Sequence, residues 1–160
     1  MGVNKARPHI FVLPEDAANR DLANGFHLRV AWNKYRQMHV LKPPGGWLEV
    51  LRTFETEHVT QMDQCANRFM LLLVDFDRHI ERLDTIKARI PDRLAERVFL
   101  LGVLSEPEEL RAQEGSYETI GQRMANDCQN ETETIWGHEL LQHNVGELDR
   151  LRKQIRPLLF

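Results

Sequence analysis

Hydrophobic positions along the chain fall into two rhythms, short unbroken apolar runs and longer stripes at helical spacing, and the two alternate from end to end. The most sharply bounded run is Phe69–Val74, six apolar residues between Arg68 and Asp75. It is too short to cross a membrane and predicts a strand buried on both faces. His9–Leu13, stopped by Pro14, and Arg97–Leu104 read the same way, and Gln37–Leu41 predicts a weaker strand. Helical spacing fills the intervals. Ala17–Asn24 predicts a short helix with Asp16 as N-cap and Gly25 as its stop. After the loop Lys42-Pro43-Pro44-Gly45-Gly46, a stripe of Trp47, Leu51, Phe54 and His58 predicts a second. Ile80, Leu83, Ile86 and Ile90, ended by Pro91, predict a third. Ser105 and Glu108 stand at capping-box spacing around Pro107. Tyr117–Cys128 is expected to be helical and Asn130–Trp136 a polar loop. Leu141, Val145, Leu148, Leu151, Ile155 and Leu158 mark a last helix ending near Pro157.

Buried strands alternating with amphipathic helices predict an α/β fold: a single domain over residues 1–160, with a doubly wound, mostly parallel sheet of about four strands. The alternation is confined to residues 9–110, so residues 116–160 are expected to form a helical C-terminal extension.

Composition narrows the function classes only a little. Hydrophobic residues at 42% and charged residues at 28% suit a soluble domain, and a net charge of −3 gives no bulk electrostatic case for nucleic acid. Cys65 and Cys128 have no metal-ligand spacing, which argues against structural zinc and for reduced cysteines in a cytoplasmic protein. Met1–Pro8 contains no signal-peptide apolar core, and no membrane association is expected. His138 and His143 are five residues apart, which rotates them off the common helix face that a zinc protease needs.

Three predicted strands end in acids: Glu15-Asp16, Asp75-Phe76-Asp77 and Glu106 to Glu109. In a parallel sheet these ends lie along one edge, where ligands bind. On an extended chain Asp75 and Asp77 point to one side, and crowded carboxylates call for a cation. Magnesium, or manganese in its place, suits carboxylates combined with waters and phosphate oxygens. Arg20, Arg78, His79 and Arg82 stand close to these acids in sequence; Arg78 and His79 are candidates for binding phosphate or assisting proton transfer.

A glutamate after the first strand and an Asp-x-Asp after a later one resembles the topoisomerase/primase (TOPRIM) domain. The match runs from about His9 to Leu110, Glu15 standing for the family glutamate and Asp75 and Asp77 for its paired aspartates. The resemblance is nearest to small nuclease-type members related to the overcoming-lysogenization-defect nucleases. It implies a magnesium-dependent nuclease, a phosphodiesterase acting on DNA or RNA, in which Glu15, Asp75 and Asp77 hold metal and carry catalysis. It also implies a further glutamate, Glu106 or Glu109, as metal ligand; Arg20, Arg78 and His79 are expected as substrate contacts from their place beside the acids. Many small relatives work beside an ATPase partner, and self-association stays open. One departure is local: the family glutamate is followed by glycine, and here the context is Pro14-Glu15-Asp16.

Other readings of the same acids are a phospho-acceptor receiver domain, a haloacid-dehalogenase-like phosphatase and a non-catalytic interaction module. A receiver wants a lysine after a fifth strand, and no lysine follows a late strand here. The phosphatase family puts its Asp-x-Asp after the first strand, whereas a complete strand precedes it in this chain.

Overall fold

The computed structural model describes residues 2–160. Four strands, β1 (His9–Pro14), β2 (Met38–Val40), β3 (Arg68–Leu73) and β4 (Val98–Leu101), form one all-parallel sheet in the order β2-β1-β3-β4. The expected α/β architecture is therefore present, with the weak second strand trimmed to three residues at the sheet's edge. β1 and β3 lie side by side, paired from His9 opposite Arg68 to Pro14 opposite Leu73.

Strand alternation divides the apolar residues between two cores. Met70, Leu72 and Val74 face one core with Val98 and Leu100, while Leu73, Phe99, Leu101 and Val103 face the other. Helices α2 (Trp47–Thr53), α3 (Val59–Gln64) and α4 (Arg82–Lys87) close the first through Leu51, Met62 and Ile86. Helices α1 (Ala17–His27), α6 (Tyr117–Asn130) and α7 (Val145–Leu159) close the second through Leu22, Ile120 and Leu151. The C-terminal helices thus supply one whole layer of the sandwich. A short α5 (Pro107–Glu114) leads into α6.

Several boundaries differ from the periodicity. Gly25 does not stop α1, which runs on to His27. Its work is close packing: a Cβ on Gly25 would lie 2.3 Å from the Glu118 carbonyl oxygen, and one on Gly121 2.1 Å from that of Leu22. The stripe from Trp47 continues as one rod to Gln64, through a π turn at Phe54–His58 that brings Phe54, His58 and Met62 inside together. The helix expected over 80–90 contracts to Arg82–Lys87. The Ser105–Glu108 capping box does not form. Pro107 takes the first helical position, so the N-cap is Glu106, which makes no capping bond, and the Ser105 hydroxyl is buried without a partner. Arg97 lies outside β4, ending a 3-10 turn from which its guanidinium donates to the Cys65 and Arg68 carbonyls. Helix α7 continues two residues beyond Pro157. Among the described residues no helix is long and apolar enough to cross a membrane.

Candidate active site

The site is built where β1 stops and β3 continues. The Glu15 N–H donates to the Leu73 carbonyl at 2.9 Å, the last rung of the β1–β3 ladder, and the chain then turns into α1. The next donor on β3, the Asp75 N–H, would be left without a strand beside it. The Glu15 carboxylate takes it instead, with Oε2 accepting at 2.7 Å. One side chain therefore joins two sheet ends that lie sixty residues apart in the chain.

Asp16 caps α1 as expected, its Oδ1 accepting the Asn19 N–H at 3.0 Å. The fully buried Asn19 amide then bridges two acids, donating at 3.0 Å to Asp16 Oδ1 and at 3.0 Å to Asp75 Oδ1. Its own Oδ1 is buried without a partner.

Asp75 is 7% exposed. Burial, reinforced by Glu15, Asp16 and Asp77, pushes its carboxyl up to about 8 against the opposing pull of the Asn19 bond. Burial also raises Glu15, which the Asp75 N–H and Arg82 partly counteract.

The chain enters left-handed conformations at Asp77 (φ 48°) and Arg78 (φ 62°), so the extended backbone that carries Asp75 ends there. Asp77 Oδ2 accepts from Arg82 Nη1 at 3.0 Å, and the same nitrogen donates to the Asp75 carbonyl. The Arg82 guanidinium sits 4.6 Å from the Trp47 ring centroid, so the α2 helix holds the cation in place.

The other expected residues point elsewhere. Arg78 pairs with Glu109 at 3.0 Å, His79 with Glu81 at 3.1 Å and Arg20 with Asp21 at 3.5 Å, each near the surface. Glu106 is exposed, and its carboxylate makes no hydrogen bond among the described residues; only its carbonyl accepts, from the Glu109 N–H at 3.1 Å. The five acids Glu15, Asp75, Asp77, Glu106 and Glu109 do not form a ready-made cage: among the described residues no three His, Cys, Asp or Glu side chains are placed to hold a metal ion. Asn19 anchors Asp75, Arg82 draws Asp77 and Arg78 draws Glu109.

The chemistry of the donors still fits magnesium. Glu15, Asp75 and Asp77 each engage one oxygen in a hydrogen bond, and the second oxygen of each makes none among the described residues. Magnesium takes one or two carboxylates and fills its shell with waters and substrate phosphates, so a complete protein cage is not required.

Asn19 is the main residue that sequence reasoning missed. Its signal was the spacing Asp16-x-x-Asn19, which puts Asn19 at the third helical position, directly over the strand ends. The position of Trp47 under Arg82 had no local signal. Comparison with family models, curated proteins and solved structures finds no match to this chain. Fold and site together define a parallel α/β protein with crowded carboxylates at the carboxyl edge of its central strands.

Proposed function

We propose that the chain is a magnesium-dependent nuclease of the TOPRIM kind, a phosphodiester hydrolase acting on nucleic acid in the cytoplasm beside an ATPase partner. One observation carries the reading: the Glu15 carboxylate meets the Asp75 backbone across adjacent strands, beside an Asp75 carboxyl raised to about 8 by burial and like charge. A place where carboxylates crowd without enough counter-charge favours a cation. In this reading Asp75 and Asp77 hold magnesium or manganese, and Glu15 contributes a ligand or accepts a proton from water. The metal supplies neutralisation of phosphate charge and a more acidic bound water. Asn19 keeps Asp75 in position, and Arg82 offers a fixed cation at the edge of the site. No ATP-binding loop accompanies these residues: Gly45-Gly46 runs directly into Trp47-Leu48 with no Lys-Ser/Thr.

The receiver reading is disfavoured by the far edge of the sheet. The Leu100 and Gly102 N–H groups donate at 3.0 Å to Glu147 Oε2 and Asn144 Oδ1, which occupy the β4 edge where a fifth strand would pair. The test is incubation of labelled single-stranded DNA, duplex DNA and RNA with wild type, Asp75→Asn and Glu15→Gln, in magnesium, manganese or EDTA. Metal-dependent cleavage by wild type should fall at least a hundredfold in both variants, the order of loss expected when a metal-site group is removed. Cleavage that survives in EDTA or in Asp75→Asn would sink the proposal. A stable phosphoryl group on Asp75 from a small phosphodonor, without cleavage, transfers the assignment to a receiver.

A further inference from the structure

The opposite end of the sheet carries the opposite charge. No acid occurs between Asp21 and Glu49, while Arg29, Lys34 and Arg36 fall before β2 in that interval. Immediately before β2, residues Trp32–Gln37 form a 3-10 helix. Its three-residue repeat eclipses positions i and i+3, which places Trp32 and Tyr35 on one side of the turn. Trp32 is 90% exposed and Tyr35 45%. The Tyr35 ring is braced from behind by His27, stacked at 3.9 Å between centroids. The N-terminal arm runs beside this turn, with the Asn4 N–H donating to the Arg36 carbonyl, and brings Lys5 and Arg7 to it. Among the described residues Lys5, Arg7, Arg29 and Arg36 make no ion pair with a carboxylate; Arg36 donates only to the Gly2 carbonyl.

We propose that the Trp32–Gln37 turn and the adjoining N-terminal arm form a binding surface for single-stranded nucleic acid. Trp32 presents an open ring face on which an unpaired base stacks, and the four uncompensated cations follow the phosphates. A duplex keeps its bases stacked internally and offers this ring nothing to sandwich. A lipid surface is met by a long amphipathic helix with a continuous apolar face, whereas the exposed apolar side chains here are Leu28, Trp32 and Tyr35 around a six-residue turn. The surface lies at the amino end of the strands, roughly 20 Å from the acids by the length of β1. It therefore goes beyond the proposed hydrolase activity and stands whether or not that activity is found.

The experiment is fluorescence anisotropy of a labelled oligo-dT twelve-mer titrated with the full chain in EDTA, where no cleavage can intervene. Trp32→Ala should weaken binding by about tenfold or more, the size expected for loss of one stacked base, while Trp32→Phe retains most of it. The double variant Arg29→Gln/Arg36→Gln should make the slope of log K against log salt shallower by about 1.4, at about 0.7 per lost phosphate contact on a single strand. Arg52→Gln, which removes an exposed cation on α2 outside this surface, should bind as wild type does, which separates the surface from general loss of positive charge. Equal binding by wild type and Trp32→Ala overturns the proposal. So does wild-type binding to phosphatidylserine vesicles without binding to the oligonucleotide.

Discussion

Asp75 shows how one residue is set by its neighbours. It ends an apolar strand, so burial deprives its charge of water, and among the described residues the one hydrogen-bond donor to its carboxylate is the Asn19 amide. Its carboxyl sits at about 8 in the fold, against about 3.9 for an unfolded aspartate. Between those values the folded state binds more protons than the unfolded one, so this group's contribution to stability is complete below about pH 4 and is lost as pH rises through 8. Melting temperature should therefore fall from pH 5 to pH 8.5 in the absence of metal, and Asp75→Asn should flatten that decline and melt higher at pH 8.5. Differential scanning calorimetry across the range decides it; an equal decline in the variant places the proton on another group.

At the scale of elements, the contact between α1 and α6 carries the second core. Gly25 and Gly121 let the two backbones approach until a Cβ on either would collide with a carbonyl oxygen of the other helix. Gly121→Ala improves helix propensity yet must force the helices apart, and overpacking of this kind costs about 1–3 kcal/mol. The urea midpoint should drop accordingly, and α1 should carry Asn19 away from Asp75 as it shifts. A midpoint at or above that of wild type would show that propensity outweighs the collision. The π turn at Phe54–His58 acts on the other face, where one extra residue in the turn keeps Phe54 and Met62 on the buried side of a single rod.

For the whole molecule, the decisive feature is that the sheet is open at one edge and sealed at the other. β2 is a three-residue outer strand, while the edge of β4 is covered by Asn144 and Glu147. Asn144 returns a second bond, its Nδ2 donating to the Gly102 carbonyl at 2.9 Å, so the α7 entry imitates a neighbouring strand. Glu147 is buried and also pairs with Lys87 and Arg150. Glu147→Ala strands the buried Leu100 N–H, while the partly exposed Lys87 and Arg150 turn to water, and should lower unfolding free energy by about 1–3 kcal/mol. Chemical denaturation measures this directly; a loss below about 0.5 kcal/mol, the range of ordinary surface changes, would mean that water replaces the carboxylate freely. Lys5, Arg7, Arg29 and Arg36, without carboxylate partners among the described residues, gather at the amino end of β1 and β2, which a net charge of −3 conceals.

How much of this was legible in the sequence follows from the range of the forces involved. The strands, most helices and the α/β class were readable because burial on one or two faces imposes a period on the residues themselves. Glu15 and Asp75 were readable as residues just past strand ends for the same reason, and so was Asp16 as a helix cap, whereas β4 stops at Leu101 and leaves Glu106 to Glu109 at the start of α5. What the sequence left undetermined depends on partners distant along the chain. The close helix crossing turned Gly25 from an expected stop into a packing residue, and Pro107 moved the α5 cap from Ser105 to Glu106. The extended chain ends in a left-handed turn at Asp77, and only the tertiary fold brought Asn19, Arg82 and Trp47 to the two aspartates. Hydrophobic period is a property of neighbouring residues and survives in a linear string. Which side chain answers a buried carboxylate is settled only when separate elements meet, because the cost of an unpartnered polar group arises only once water has been excluded.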